Sequence, residues 1–245
     1  MNSKPISLRI LNLFGRHMSS YGDAGNLIVL RKRCEWRGIS LEQIDCEIDS
    51  ALAPCEQADL ILCGGGQESC ISLVQADLLR IAPLLRQLIE DGAPALVVGT
   101  GLQVFGEYVE NSDGESLEGA GIFSLHTQCG FDRQSGNIVI SSSDFGELLG
   151  YENHTTKTFL HEGQEPLARV VSGFGNNGED GTEGARYKNA LGTHLHGPLL
   201  SKNPRVADYL IAAALERRYN EAVELPPLPD QWVEQARTVA RSRPR

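Results

Sequence analysis

The sequence contains no apolar stretch long enough to cross a membrane. Its longest apolar segments, such as ADLILC and PALVV, are far shorter than the roughly 20 residues that span a bilayer. The amino terminus also lacks the basic region followed by an apolar one that marks a secretory signal. We therefore expect a soluble, cytoplasmic protein with no membrane insertion.

Paired metal-binding cysteines are also missing. The six cysteines, at positions 34, 46, 55, 63, 70 and 129, form no CxxC pair. This argues against a structural zinc site, and a chain of 245 residues does not need disulfides to complete its core. Most of the thiols are expected to be ordinary core residues. We predict neither a bound metal nor a cofactor.

Positive charge is scarce. Twenty-two Lys and Arg residues stand against 32 Asp and Glu residues, which gives a formal net charge of −10. This balance disfavours general binding to nucleic acid or to an anionic membrane surface. A small molecule or a protein is the expected partner.

Two glycine-rich turns, LCGGGQES (62–69) and VGTGLQVFG (98–106), lack the residues of nucleotide-binding motifs. A GxGxxG fingerprint that begins at Gly99 would need glycine where Val104 stands, and neither turn has the Lys-Ser/Thr pair of a phosphate-binding loop. A nucleotide-dependent oxidoreductase is therefore the weaker alternative. Taken alone, either cluster is equally compatible with an ordinary turn.

The first half of the chain alternates strand and helix patterns, which is typical of βαβ units and a mostly parallel sheet. Four strands and two helices are predicted there: strands at 7–13, 39–48, 58–65 and 94–98, and helices at 24–37 and 74–90.

Residues 119–196 carry short strand patterns with turn signals, which indicate an antiparallel extension of the same sheet. Asn203 and Pro204 open a last core helix that runs to about Arg218. We predict one domain over residues 1–220, followed by a C-terminal linker and short docked helix over residues 221–245.

The segment GTHLHGP (192–198) adds a candidate catalytic residue. A single histidine is more often structural, but His196 follows an apolar strand and precedes Gly-Pro, so it points out of the sheet edge. That position suits a general base.

Several short motifs occur together in one order along the chain: YGDAGN (21–26), WRGI (36–39), GGGQ (64–67), Gly101-Leu102-Gln103, YENH (151–154), GNNGEDGTEG (175–184) and THLHGP (193–198). With them the sequence resembles the CobB/CobQ-like class I glutamine amidotransferases. Within that group it is similar to the GatD family, the glutaminase subunits of lipid II isoglutaminyl synthase.

The resemblance implies an α/β fold of three layers, with a mostly parallel central sheet, an antiparallel extension and helices on both faces. It also implies hydrolysis of L-glutamine to supply ammonia to a MurT-like Mur ligase subunit. That partner would use ATP to amidate the D-glutamate of the peptidoglycan precursor.

The resemblance assigns roles to individual residues. Class I enzymes attack glutamine with a cysteine at a strand-to-helix turn, and the matching position here is Gly99. His196 matches the base, and Gln103 and Arg133 match residues that bind the substrate. The oxyanion donors correspond to the backbone N–H groups of Thr100 and of the Gly64–Gly66 turn, in particular Gly65 and Gly66.

The spacing along the chain does not identify the third catalytic group or a substitute thiol. Many class I enzymes carry an acid two residues after the base, where this chain has Pro198, so Glu152 is proposed as the orienting acid. Cys63 and Cys70 flank the first glycine turn but do not occupy an elbow. His126 and His194 are expected to be core or surface residues, and the 175–184 segment a functional surface loop without the spacing of a calcium loop.

Two origins of Gly99 remain open. A cysteine was replaced in an otherwise intact site, or the chain is a natural pseudo-glutaminase in which glycine relieved the strain of the elbow. In the second case the protein is a non-catalytic binding or scaffold partner of a Mur-ligase-like enzyme.

Overall fold

The computed structural model describes residues 6–243, over which helices and strands alternate in the first half and strands predominate in the middle. The elements up to the second glycine turn are β1 (Ser7–Leu13), α1 (Ala24–Glu35), β2 (Ser40–Cys46), β3 (Leu60–Cys63), α2 (Glu68–Glu90), β4 (Ala95–Val98) and α3 (Thr100–Phe105). The later elements are β5 (Tyr108–Glu110), β6 (Ser116–Glu118), β7 (Leu125–Ser142), β8 (Gly146–Leu160), β9 (Ala168–Ser172), β10 (Thr182–Glu183), β11 (Ala185–Tyr187), β12 (Ala190–Thr193), α4 (Leu199–Lys202), α5 (Pro204–Tyr219) and α6 (Gln231–Arg241).

The central sheet has the strand order β11-β12-β4-β3-β1-β2, and every neighbouring pair is parallel except β11 with β12. β3, β4 and β12 are short apolar or small-residue runs buried at every position, as strands covered on both faces must be. In this register Cys63 pairs with Val97 and Thr193 with Val98. The three strands therefore end at one edge, where the loops that follow them meet.

Successive residues of the central strands point into two separate cores. Ile61 and Val97 belong to the core that packs against α2, whereas Leu62 and Leu96 belong to the core that packs against α1 and α5. Helices therefore cover both faces of the sheet. The predicted fold class, a three-layer α/β arrangement with a mostly parallel central sheet, is confirmed.

The antiparallel part of the chain differs from the prediction in one respect. Only β11 extends the central sheet, while the other strands form a second sheet in the order β10-β9-β7-β5-β6, with β8 paired to β7. β7 and β8 form one long hairpin and not several short strands. Gly130 and Gly136 resemble turn signals in the sequence, but both lie inside β7, Gly130 at an exposed position and Gly136 at a buried one.

Helix α2 begins at Glu68, six positions before the predicted start at residue 74. Its first turn contains Glu68, Ser69 and Cys70, which do not carry the apolar repeat that identified the rest of the helix. This early start matters for the site, because it places α2 directly after the glycine turn that follows β3.

The C-terminal segment packs on the outside of the domain through polar contacts. The buried guanidinium of Arg33 on α1 binds the carboxylates of both Asp208 and Asp230. Arg237 on α6 donates to the backbone carbonyl groups of Lys202 and Glu147. No residue of α6 is buried, so this helix is attached to the domain surface. The division at residue 220 stays a prediction.

Candidate active site

The turn after β4 holds Gly99 at φ 58° and ψ −120°, a backbone conformation that residues with a Cβ rarely adopt. Its N–H donates to the carbonyl of Thr193 on the neighbouring strand at 2.8 Å. Its carbonyl accepts the N–H of Gln103 at 3.2 Å, so α3 begins directly at the turn. This strand–turn–helix junction has the form that presents a nucleophile in several hydrolase folds.

His196 lies directly against this turn. An ideal Cβ placed on Gly99 would be 2.6 Å from Cε1 and 2.9 Å from Nε2 of the His196 ring. The imidazole follows β12, the strand next to β4, and is buried. The two positions therefore share one site, and a side chain at position 99 would meet the imidazole, as activation of a nucleophile by a base requires.

Asp23 supplies a carboxylate on the other side of the same ring. Its two oxygens each lie 3.3 Å from Nδ1 of His196, and both side chains are buried. Because a carboxylate only accepts, Nδ1 carries the proton and Nε2, the nitrogen nearer Gly99, is left as the acceptor. The Tyr21 ring packs at 4.7 Å from the imidazole and helps fix its plane.

Asp23 was not predicted as a functional residue from the sequence. An acid was expected close to His196 along the chain, whereas Asp23 is 173 positions away. The available signal was its place in YGDAGN, a motif for which no chemistry had been assigned. Asp23 lies just before α1, which starts beside the carboxyl edge of the central sheet.

Glu152 was predicted to orient the base, and the structure gives it other contacts. Its carboxylate is buried and accepts the backbone N–H groups of Phe174 and Gly175, each at 2.9 Å. These bonds tie the start of the 175–184 loop to β8. The contact with Nδ1 of His196 is made by Asp23, so the geometry favours Asp23 over Glu152 for the orienting role.

Two of the three predicted oxyanion donors are engaged within the chain. The Gly65 N–H donates to Oδ2 of Asp23 at 2.8 Å, and the Gly66 N–H donates to Oγ1 of Thr100 at 2.5 Å. The Thr100 hydroxyl in turn donates to the Gly66 carbonyl at 3.2 Å. The Thr100 N–H lies in the first turn of α3 and has no acceptor within that helix. The Thr100 hydroxyl must therefore turn away before Gly66 can bind an oxyanion.

Gly99 and His196 line an open cleft of about 280 Å³, a size that suits an amino acid. Both residues predicted to bind the substrate line it as well. Gln103 is buried, and its amide donates to the hydroxyl of Thr156 at 3.1 Å. Arg133 lies in the exposed part, where its guanidinium donates to the side-chain carbonyl of Asn153 at 2.8 Å.

The thiols near the site are poorly suited to replace the missing nucleophile. Burial raises the pKa of Cys63 to about 12, and Cys63 lines a separate cavity behind Asp23. Cys70 lies in the first turn of α2 and not at the elbow. Cys129 does line the cleft, but burial and the charges of Glu68 and Glu110 raise its pKa to about 12. A thiol attacks as the thiolate, which these pKa values disfavour for Cys63 and Cys129.

The remaining predicted residues do not line this cleft. His194 is fully buried, and His126 is partly buried in a stack between the rings of Tyr108 and Phe159. Only positions 178–181 of the 175–184 loop are exposed. Its remaining residues are buried, and Glu183 accepts the backbone N–H of His194 at 2.7 Å.

Over residues 6–243, no three or more His, Cys, Asp and Glu side chains are arranged to hold a metal ion. Within the same range, no helix combines the length and the apolarity needed to cross a bilayer.

The site contains a carboxylate–imidazole pair, Asp23 and His196, whose imidazole faces the strand-to-helix turn at Gly99. Such a pair can take a proton from a thiol at position 99 and return it to a leaving group. Glycine at that position provides no side-chain nucleophile.

Known proteins resemble this chain over most of its length. Residues 9–204 match the CobB/CobQ-like glutamine amidotransferase domain. The chain is 38% identical over 211 residues to a GatD subunit of lipid II isoglutaminyl synthase (glutamine-hydrolyzing) from Staphylococcus aureus, covering 86% of each chain. It is 34% identical over 232 residues to the corresponding GatD subunit from Streptococcus pneumoniae, covering 92% of this chain and 87% of the relative.

Solved structures show the same fold at low sequence identity. A crystal structure of a glutamine amidotransferase superimposes with a TM-score of 0.58 at 17% identity, covering 83% of this chain and 98% of the other. The glutaminase domain of Trypanosoma brucei CTPS, solved with bound acivicin, gives a TM-score of 0.53 at 13% identity, covering 89% and 96%. At these identities the similarity establishes the fold alone.

Proposed function

Because the chain belongs to the CobB/CobQ-like glutamine amidotransferase family and groups with the GatD subunits of lipid II isoglutaminyl synthase, we propose that it is the glutamine amidotransferase subunit of such a synthase. Its cleft binds L-glutamine, and its partner is a MurT-like Mur ligase subunit. That partner uses ATP and ammonia to amidate the D-glutamate of the peptidoglycan precursor, in the cytoplasm.

The observation that carries this proposal is the contact between the elbow at Gly99 and the imidazole of His196, backed by Asp23. A cysteine at position 99 would lose its proton to Nε2 of His196 and attack the carboxamide carbon of glutamine. The proton would pass to the leaving nitrogen, which departs as ammonia. Water would then cleave the thioester, with His196 accepting its proton, and glutamate would leave.

The oxyanion formed in both steps needs N–H donors. Thr100 offers its backbone N–H, and Gly66 offers another once the Thr100 hydroxyl has turned away from it. Gln103 and Arg133 would hold the amino acid end of glutamine in the cleft. All of these groups are provided by the backbone of the fold and by side chains other than that of residue 99.

The chain as it stands has glycine at position 99, so we propose that it does not hydrolyse glutamine. Both origins considered for Gly99 lead to this expectation. The second candidate function, a non-catalytic scaffold for the ligase subunit, is favoured by the same glycine. In that case the partner takes ammonia from solution and His196 is not needed for the activity of the assembly.

The test is to measure glutamate release from glutamine by the purified chain and by Gly99→Cys, each alone and with a co-expressed Mur-ligase-like subunit. We expect activity in the cysteine variant only. Gly99→Ser is the matched control, because it introduces the same Cβ and a weaker nucleophile. Adding His196→Ala to the cysteine variant should abolish turnover.

Glutamate release by the unmodified chain would show that position 99 is not the nucleophile site. The scaffold function is tested separately, by supplying ammonium salts to the assembly and measuring amidation. If His196→Ala leaves ammonia-dependent amidation unchanged while loss of the whole subunit abolishes it, the chain acts as a scaffold.

A further inference from the structure

A second cleft lies between the antiparallel sheet and the C-terminal helix. Strands β7, β8 and β9 form one wall and the end of α6 forms the other, around a volume of about 370 Å³. This cleft shares no lining residue with the cleft at Gly99. Among the described residues that line it, Lys202, Arg241 and Arg243 are cations and none is an Asp or Glu. We call it the basic cleft.

Two of these three cations have no counter-ion in the described chain. Arg241 binds the carboxylate of Glu147 at 3.1 Å, so its charge is offset. The ammonium group of Lys202 donates to the backbone carbonyl of Gly197 at 3.4 Å. Within residues 6–243, neither Lys202 nor Arg243 forms an ion pair with a carboxylate. The basic cleft therefore carries two uncompensated positive charges.

The environment of Lys202 is unfavourable for its charge. Burial lowers the pKa of the ammonium group, and the positive charge of Arg243 lowers it further. The two cations are thus close enough to repel each other. Elsewhere in this acidic chain, cations with buried side chains such as Arg33 and Arg37 bind carboxylates. An anion between Lys202 and Arg243 would remove the repulsion and stabilise both charges.

Helix capping explains only part of this cluster. An arginine in the last turn of a helix offsets the helix dipole, which accounts for Arg241. Lys202 belongs to α4, a different element, and Arg243 follows the end of α6. They meet because Arg237 attaches α6 to the domain, where its guanidinium donates to the backbone carbonyl of Lys202. The packing of α6 thus builds the basic cleft.

The charge and the walls of the basic cleft indicate its ligand. A phosphate monoester carries about two negative charges at neutral pH, which matches the two uncompensated cations, whereas a carboxylate carries one. Ile138, Leu149 and Val171 supply apolar surface beside the cations, and Val171 is 62% exposed. The volume lies in the range of small-molecule sites, so an organic group fits beside the phosphate.

We propose that the basic cleft binds the phosphate group of a phosphate monoester, with Lys202 and Arg243 as its ligands and Val171 against the organic group. Binding requires neither glutamine nor a nucleophile, so this proposal does not rest on the proposed function. A soluble phosphate monoester and the headgroup of phosphatidic acid share this chemistry. The experiment therefore separates the two sources.

The test is isothermal titration calorimetry of the full chain with phenyl phosphate at about pH 7.5, above the second pKa of the phosphate near 6. Phenyl sulfate is the matched control ligand, because it has the same ring and one negative charge. We expect saturable binding of phenyl phosphate and binding of phenyl sulfate at least about tenfold weaker, because one charged hydrogen-bonding interaction is lost.

Variants of the cleft test the assignment of its residues. Lys202→Met and Arg243→Gln should each weaken binding about 10- to 100-fold. Val171→Glu should weaken it as well, because it places a negative charge in the wall at an exposed position. Arg31→Gln is the matched control: it also removes one positive charge, but Arg31 bonds Gln43 and does not line the cleft.

A gain of affinity is expected from Glu147→Gln. This change releases Arg241 from its ion pair and adds a third uncompensated cation to the cleft. Binding should tighten by up to about 5-fold, the value of a surface ion pair. Circular dichroism verifies that every variant folds, so that a loss of binding is not a loss of structure.

Sedimentation with phosphatidylcholine vesicles, with and without phosphatidic acid, separates the sources. Cosedimentation that requires both phosphatidic acid and Lys202 identifies a lipid headgroup as the ligand, whereas binding of phenyl phosphate alone identifies a soluble one. Absence of binding to both would overturn the proposal. So would equal affinity for phenyl sulfate, or affinity that Lys202→Met, Arg243→Gln and Val171→Glu all leave unchanged. None of these results depends on glutamate release by Gly99→Cys, which tests the proposed function separately.

Discussion

The imidazole of His196 stands where the first side-chain atom of residue 99 would lie. An ideal Cβ on Gly99 falls 2.6 Å from Cε1 of that ring, closer than real Cβ contacts come. Two features therefore favour glycine at this turn. Its φ is positive, and the His196 ring occupies the space that a Cβ would need. Any larger residue must bear backbone strain and displace the ring.

Gly99→Ala should therefore destabilise the protein. The backbone strain alone costs about 1–3 kcal/mol, and the contact with His196 adds to it. Adding His196→Ala should recover the contribution of the contact, so the double variant should be more stable than the sum of the single effects predicts. Urea denaturation of the unmodified chain, the two single variants and the double variant measures this interaction. Strictly additive effects would show that the His196 ring moves aside without a loss of stability.

Gly163→Ala is the matched control for backbone strain. Gly163 also has a positive φ, 84°, but a Cβ added there would meet no atom within 4 Å. It should cost about 1–2 kcal/mol, as expected for a residue forced into the left-handed region. A loss as large as that in Gly99→Ala would remove the evidence for a steric contribution from His196.

Asp23→Asn should impair catalysis in the Gly99→Cys background. The carboxylate holds the proton on Nδ1 of His196, and asparagine does not stabilise the imidazolium formed during the reaction. In a serine protease triad this change costs about 10⁴ in kcat, and we expect a loss of about 10²–10⁴ here. The measurement is the rate of glutamate release at saturating glutamine.

Glu152→Gln in the same background separates the two candidate acids. Its carboxylate accepts the backbone N–H groups of Phe174 and Gly175, so the change should lower the melting temperature. We expect kcat to change little. If Glu152→Gln reduced kcat as strongly as Asp23→Asn does, the assignment of the orienting role to Asp23 would be wrong.

Thr100→Ala in the Gly99→Cys background should raise kcat/KM for glutamine. The hydroxyl of Thr100 now holds the N–H of Gly66, and its removal frees that donor for the oxyanion. A net hydrogen bond is worth about 0.5–1.5 kcal/mol, so an increase of about 2- to 10-fold is expected. Thr100→Ser keeps the hydroxyl and should show no increase. A fall in kcat/KM with alanine would mean that the hydroxyl assists the reaction.

The sequence was sufficient to locate the elbow because the signals there are local. PALVV predicts a strand, Gly99 predicts a tight turn, and β4 and α3 follow as expected. The pairing of Gly99 with His196 was inferred from the resemblance, and the parallel register of β4 and β12 explains it physically. Neighbouring parallel strands end at the same edge, so residues that follow them meet there.

The contact of Asp23 with His196 and the hydrogen bonds of the glycine turn could not be derived from spacing along the chain. Asp23 meets His196 only because α1 begins beside β3 and β4, and no spacing along the chain reports that contact. Likewise the hydrogen bonds of Gly65 and Gly66 depend on the rotation of two side chains, Asp23 and Thr100. The second sheet was missed because the polar residues and the two glycines within β7 resemble turn signals in the sequence.

Glu183 lies behind the site as a fully buried carboxyl group. It accepts the N–H of His194 and the hydroxyl of Thr193, which favour its charged form. Burial outweighs these bonds, and the nearby charge of Glu152 adds to it, so the pKa of Glu183 rises from an ordinary 4.5 to about 8. Between these values the folded protein holds more protons than the unfolded chain.

The free energy of unfolding should therefore fall as pH rises from 6.5 to 8, and Glu183→Gln should remove this decline. His154 and His194 act in the opposite sense, because burial lowers their pKa values below the ordinary 6.5. Their contribution rises with pH until the unfolded-state imidazoles are deprotonated, about one unit above 6.5, so the effect of Glu183 is read as the difference in slope between the unmodified chain and Glu183→Gln. Urea denaturation at several pH values measures the slope, with the exposed Glu179→Gln as a control that should keep it. An unchanged slope in Glu183→Gln would show that this carboxyl group is already ionised at pH 6.5, with its charge held by the Thr193 and His194 donors.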